Sequence, residues 1–253
     1  MHFITSLLFS IAACGEDSAA PEPATEEMTD VEDIPVPSED KEEDETDESQ
    51  PTDEPDTDQP AETISYSFGD TDSLLYVQVY KDPTALGANL SHDHVMRAAN
   101  FSGQMLYNRD DISECELNFL VPVNDLRVDE SAMRNYVGYG DTINAGDRAT
   151  IREHMLSNGQ LNSNTYSTIT FNSTGCQENG DSLRVSGDFS LRGVTKAITL
   201  ELDFSISGDR VYFSGEHNFN HSDHGFEPYE AFGGFVRNAQ QLDITIDMVG
   251  FEN

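Results

Sequence analysis

The sequence predicts an all-β domain of about eight antiparallel strands with a short helical insertion, preceded by an export segment and an acidic linker. Three observations predict it. Beyond residue 62, apolar side chains recur on every second position, which gives each strand one dry face and one wet face. Turn-forming clusters separate the runs, as at Asn179-Gly180-Asp181, Ser207-Gly208-Asp209 and Gly233-Gly234. The charge is unevenly spread: of 48 acidic and 13 basic residues, 21 acids and a single base, Lys41, fall between positions 15 and 62. That stretch cannot bury enough apolar surface to offset the entropy of ordering it. Residues 63–253 have the length of one β-rich domain with its own core.

Residues 1–14 read as a signal peptide and lipobox. Phe3–Ala13 is an apolar run too short to span a bilayer, ending in small residues before Cys14. The tetrapeptide Ile11-Ala12-Ala13-Cys14 resembles a bacterial lipobox, in which cleavage leaves the cysteine as a lipidated N-terminus; an ordinary cleaved signal peptide is the alternative. Gly15 in the next position fits an outer-membrane destination, on either its periplasmic or its surface face. The expected membrane partner is therefore reached through an N-terminal lipid anchor. Residues 15–62 read as a disordered acidic linker, because prolines from Pro21 to Pro60 break helices and like charges repel. A flexible coil of that length averages roughly 40 Å end to end. Asp53, Asp56 and Asp58 lack the glycine and glutamate that an EF-hand loop requires.

The folded region then alternates. The pattern runs through Ile64-Tyr66-Phe68, Leu75-Val77-Val79 and Leu117-Phe119-Val121-Val123. It returns at Leu183-Val185-Phe189-Leu191, Ile198-Leu200-Leu202-Phe204-Ile206, Val211-Phe213 and Leu242-Ile244-Ile246-Met248. Residues 129–157 break the rhythm: Ile151, Met155 and Leu156 stand at helical spacing, with Asp147 placed to cap a helix. Closing such a sheet into a barrel removes its edges. A two-sheet sandwich gives the same periodicity, so patterning leaves both open.

Two cysteines remain if Cys14 carries lipid, and an even remainder in an exported chain points to a disulfide between Cys115 and Cys176. Cys115 opens the run CELNFLVPV and Cys176 closes the run YSTITFNSTGC, so antiparallel neighbours bring them together. Ile169 and Phe171 have the opposite parity from Cys176, and a bulge at Gly175 would repair the register. Two buried free thiols are the alternative.

Five segments carry a resemblance: ANLSHDHVMRAANFSG (88–103), VPVNDLRVD, DRATIREHML (147–156), YSTITFNS (166–173) and GDFSLRGVTKAITL (187–200). In order and spacing they resemble the bacterial YceI-like family of polyisoprenoid-binding proteins, over essentially residues 63–253. The Gly-Val-Thr-Lys turn within LRGVTKAITL is the most specific part. The resemblance implies an extended, lipocalin-like antiparallel barrel whose interior holds a long isoprenoid or similar lipid, in an exported protein with no catalytic centre. No cofactor is required beyond such a bound lipid. The inward candidates for ligand contact are Phe101, Leu117, Phe119, Val121, Ile169, Phe171, Phe189, Leu191, Leu200, Leu202, Phe204 and Phe213. For each singly, ordinary core packing is the competing role. Arg192 and Lys196 flank the turn, where they either meet a pyrophosphate head or are simply solvated.

The histidines supply the rival function. His92 and His94 form an H-x-H pair, and His217, His221 and His224 form a second group; imidazoles so grouped hold zinc, copper or nickel when they converge. The alternative to a lipid carrier is thus a metal-binding or metal-dependent envelope protein. Asp–His hydrogen bonds that satisfy buried polar groups account for the same residues without metal. An enzyme is otherwise not expected, since the chain has no G-x-S-x-G elbow, C-x-x-C pair or phosphate loop. A net charge of −35 argues against nucleic acid as a partner. Oligomeric state is not legible in the chain.

Overall fold

The computed structural model describes residues 62–253. The export segment, Cys14 and the acidic linker through residue 61 lie outside the described residues. The rest is a closed eight-staved antiparallel barrel in which every stave pairs with its neighbours in sequence. Three staves are long strands broken in two: β1 (Ile64–Gly69) with β2 (Leu74–Lys81), β3 (His94–Arg97) with β4 (Ser102–Tyr107), and β5 (Glu116–Pro122) with β6 (Arg127–Val128). A helical insertion follows, α1 (Ser131–Tyr136) and α2 (Ala145–Leu156). The remaining staves are β7 (Thr168–Asn179), β8 (Ser182–Leu191), β9 (Val194–Ser207), β10 (Arg210–Asn220) and the 17-residue β12 (Val236–Glu252). A two-residue strand, β11 (Glu230–Ala231), pairs with the start of β12.

Closure falls to β12. One flank pairs with β10 from Arg210↔Phe251 to Asn220↔Gln241. Its other flank is shared, with Ser67 of β1 opposite Phe251 and residues 74–79 of β2 opposite 247–242. The alternation seen in sequence points inward as expected: on β8, Leu183, Val185, Phe189 and Leu191 are buried while Arg184 and Asp188 between them are exposed. The barrel, not the sandwich, is the solution the chain adopts.

Turn chemistry follows the same logic. Arg192 and Gly193 both have positive φ, 51° and 73°, as a two-residue hairpin between β8 and β9 demands. The strain on Arg192 is offset by its guanidinium, which donates to the carbonyls of Asn158 and Gly225 and lies over the Phe226 ring. Arg192 is thus a structural tie between the hairpin and the loops above it. At α2 the cap is Asn144, whose side chain accepts from the Asp147 amide; Asp147, expected as the cap, sits three residues further in.

The half of the barrel built on β1, β4, β5 and the Asn179-Gly180 turn is packed solid. Tyr66, Met105, Phe171, Leu183, Val185 and Val211 have no exposed surface, and Phe68 meets Phe213 edge to face at 5.2 Å. Two glycines admit these rings. A Cβ at Gly103 would lie 2.1 Å from the Phe68 ring, and one at Gly187 would lie 2.5 Å from that of Phe171. The Cys115–Cys176 disulfide staples this half, with its Cα atoms 5.9 Å apart. The parity conflict is resolved by a bulge between Ser173 and Gly175, which leaves Thr174 as the extra residue and turns Cys176 inward opposite Val185.

The bridge closes a loop spanning 61 positions, for which chain entropy gives about 4 kcal/mol of stabilisation. The double substitution Cys115→Ser with Cys176→Ser should lower the urea midpoint accordingly; an unchanged midpoint at unchanged slope would contradict this role.

Candidate functional site

The other half of the barrel holds a cavity of about 200 Å³. Its position follows from the strand pairing. Between β9 and β10 the ladder runs only from Arg210↔Ser207 to Ser214↔Asp203, so beyond that point the two strands diverge. The helical insertion arrives on the far side, where β5 stops pairing with β7 at Pro122↔Thr168. The barrel wall opens at this end, and α2 and the loops after it roof the interior. Ile151 and Met155 of α2, with Leu161 and Phe226, face walls formed by Val77, Val79, Phe219, Leu242 and Ile244.

Of the twelve inward candidates, Phe119, Val121, Ile169 and Phe189 line this cavity. Phe101, Leu117, Phe171, Leu191, Leu200, Leu202 and Phe213 are buried in the surrounding core, and half-buried Phe204 packs 5.1 Å from Tyr107. The interior is therefore not an open tunnel from end to end; one half is filled by the protein's own side chains. Sequence reasoning missed Met96 and Phe219. Phe219 had a signal, because it continues the Val211-Phe213 parity to the end of β10.

The histidines take separate places. His94 lines the cavity, and its Nδ1 lies 2.7 Å from Asp129. Asp129 is fully buried and also accepts from the Val95 amide at 3.0 Å and from Arg134 Nη1 at 2.8 Å. Burial alone would raise the Asp129 pKa, but bonds from His94, Val95 and Arg134 hold it below the usual carboxylate value. The buried Arg134 guanidinium reaches the Asp93 carbonyl at 2.8 Å and the Asp141 carboxylate, which in turn pairs with half-exposed His92. Asp129 thus fixes a proton on His94 Nδ1, and His94 Nε2 has no protein partner among the described residues.

The second group acts as a latch. Residues His221–His224 form a single 3-10 turn capped at Gly225 in the left-handed region. His221 Nδ1 donates to the Gln240 carbonyl at 2.7 Å, and His224 Nδ1 donates to the Val194 carbonyl at 3.0 Å. The turn thereby ties β12 to β9 across the gap left where β10 diverges. His224 lies edge-on to Phe189 and Phe219, and His221 to Phe226. Among the described residues, no three His, Cys, Asp or Glu side chains converge as a metal shell. His92 and His94 pair with Asp141 and Asp129, and His221 and His224 donate to backbone carbonyls, while part-buried His217 stands on β10 opposite Ile244.

A family model described as the YceI-like domain matches residues 79–249. The chain belongs to the YceI-like family. Among individual relatives, it is 31% identical over 114 residues to a UPF0312 protein of Vibrio campbellii, covering 45% of this chain and 51% of that one. It is 42% identical over 57 residues to the YceI protein of Shigella flexneri, covering 22% of this chain and 30% of that one. The chain thus spans about half or less of the length of the curated relatives it matches. The barrel is similar to the crystal structure of Burkholderia cenocepacia BcnA, with a TM-score of 0.51 at 15% identity over 69% of this chain and 95% of that one. At that identity the likeness is one of fold.

Burial lowers the pKa of His217, His221 and His224 below 6.5, with a further contribution at His217 from the charge of His224. Below that pH the unfolded chain binds protons that the folded chain refuses, so the stability held above 6.5 is lost as pH falls through the folded values. His221→Asn with His224→Asn keeps an N–H donor at each site and removes the titration. Its thermal midpoint should vary less between neutral and mildly acidic pH than the parent's, and parallel profiles would refute the latch.

Proposed function

We propose that this domain is a non-catalytic binding protein for an amphiphile, whose apolar tail occupies the cavity and whose polar head lies near His94. The observation that carries the reading is a roofed apolar cavity whose wall includes an imidazole anchored by a buried carboxylate. His94 Nε2 is then a fixed polar contact on a mainly apolar wall that His154 and His221 also line, suited to a hydroxyl or carbonyl head group. Gln160, Tyr229 and Asn238 add polar atoms to the same lining. No Ser, Thr, Cys, Lys, Asp or Glu lines it, and the His94 imidazole is held by Asp129 without an aliphatic hydroxyl or thiol in the lining to activate, which favours binding over nucleophilic chemistry.

The ligand class proposed is a polyisoprenoid or similar lipid, in keeping with the family resemblance and with a wall of branched aliphatic and aromatic groups. Tail burial contributes roughly 25 cal/mol per Å² and needs few polar partners. Size limits how the chain sits. The cavity of about 200 Å³ exceeds the ~150 Å³ that admits benzene, so a long tail is accommodated only as lining side chains move. Met96 and Met155 are unbranched and rotate readily, and α2 contributes no fully buried residue to hold it down.

The setting proposed is the cell envelope, with the domain held to a membrane through acylated Cys14 and the acidic linker. A Cys14→Ser chain should then leave the membrane fraction; retention there would contradict the anchor.

Solvent extraction of the purified protein, read beside native mass spectrometry, should yield one amphiphile per chain. Ile244→Trp fills the cavity and should abolish its retention. Leu183→Ala, in the packed half, should cost about 2–5 kcal/mol of stability and leave retention intact. Protein with no bound amphiphile, or equal loss in both variants, would overturn the proposal.

A further inference from the structure

Two loops leave the rim of the cavity, and neither its lining nor the core explains what they carry. One joins Val79 to His94, and the other joins Tyr229 to Asn238; all four of these residues line the cavity. Seven large apolar side chains of the described domain are exposed, and four of them stand on these loops: Leu86 at 90%, Leu90 at 72%, Phe232 at 87% and Phe235 at 41%. Scattered exposed leucines need no explanation, but a cluster at one end of a barrel does.

The loops form a single platform. The Gly87 amide donates to the Phe235 carbonyl at 2.7 Å, and the Asp82 amide donates to the Arg237 carbonyl at 2.9 Å. Arg237 bonds the Asp82 carboxylate at 2.6 Å, so the ion pair at its base is internally neutralised. Gly87 lies so close beneath the Phe235 ring that a Cβ would come within 2.6 Å of it. At the tip, in Phe232-Gly233-Gly234-Phe235, Phe232 holds a φ of 53°. That region is costly for a bulky side chain, and such strain collects at functional positions.

We infer that this platform is a membrane-contact tip, through which the cavity end of the barrel enters the surface of a lipid bilayer. The occupant follows from shape and charge. At 87–90% exposed, Leu86 and Phe232 stand almost free of their own protein. A protein partner would need a matching pocket for each one, whereas a fluid acyl layer closes around them. The chain's net charge of −35 is repelled by anionic headgroups, so contact is driven by apolar burial and favours a neutral surface.

Chain length permits the geometry. The described chain begins beside β1, which pairs with the C-terminal end of β12, while the platform stands at the N-terminal end of that strand. Along its 17 residues, at about 3.3 Å each, the two ends lie roughly 55 Å apart. The 48 residues from Gly15 to Glu62 span up to about 160 Å when extended. An anchor at Cys14 is therefore compatible with the far end of the barrel reaching the same bilayer. The inference goes beyond amphiphile binding and stands or falls without it.

The chain contains no tryptophan, so one introduced residue reports its own surroundings. Phe232→Trp, in the whole chain, should shift its emission to the blue on addition of neutral phosphatidylcholine vesicles. Vesicles with brominated acyl chains should quench it. Tyr212→Trp, outward on β10 opposite Val249 at the packed end, should show neither effect. Emission of the Phe232→Trp chain unchanged by vesicles, or equal quenching at both positions, would overturn the assignment. Loss of bound amphiphile with quenching intact would instead fault only the carrier reading.

Discussion

Hydrogen bonding along both flanks of β12 is the constraint on which the rest depends. A sheet with two free edges would have no inside, and its alternating apolar residues would need a second sheet. With β10 on one flank and β1 and β2 sharing the other, the edges vanish and the inward parity of every stave faces a common axis. The shared flank has a cost. The first stave cannot follow β12 without a break, and the chain leaves the ladder between Ser67 and Leu74. That break recurs in the next two staves, where β3 gives way to β4 and β5 to β6.

Those interruptions mark the limit of what local pattern conveys. From β8 onward the staves are continuous, and Leu183 to Leu191 or Ile198 to Ile206 read directly as strands with one buried face. The earlier staves were visible only as short runs, because a break shifts parity and hides continuity. The same reason obscured Cys176, whose inward direction depends on the extra residue at Thr174. Whether a given inward side chain meets a cavity or a neighbour is decided across the barrel. Phe171 and Phe119 have the same parity on paired strands and stack at 5.4 Å, yet only Phe119 borders open space. Nothing in either segment separates them.

The histidines are open in sequence between a metal site and structural hydrogen bonds for a related reason. Spacing such as His217, His221 and His224 records closeness along the chain, but a ligand set needs convergence in space. Here the partners are the carbonyls of Gln240 and Val194, on two different strands. A carbonyl accepts only, which fixes a proton on each Nδ1 and suits a neutral ring in a dry site. His94 and His92 are drawn instead to Asp129 and Asp141, because Arg134 has already gathered those carboxylates. Through these bonds the imidazoles hold strands and loops together.

With the unpartnered hydroxyl of buried Tyr66 in the packed half as the exception, most features that cost stability are gathered at one end of the barrel. There the β9–β10 ladder ends early, and Asp129 and Arg134 are buried together. The roof is a helix with no fully buried side chain, and apolar groups stand in water. At the other end are the disulfide and the fully buried Tyr66, Met105, Phe171 and Leu183. A fold that spread both kinds of feature evenly would be uniformly marginal. Separating them lets the packed half hold the barrel closed while the other half stays loosely roofed, the arrangement expected where low-stability segments serve binding. On the proposed reading, a ligand that displaces α2 and Met155 works against this loosely roofed end, and the strands that fix the barrel's register need not move.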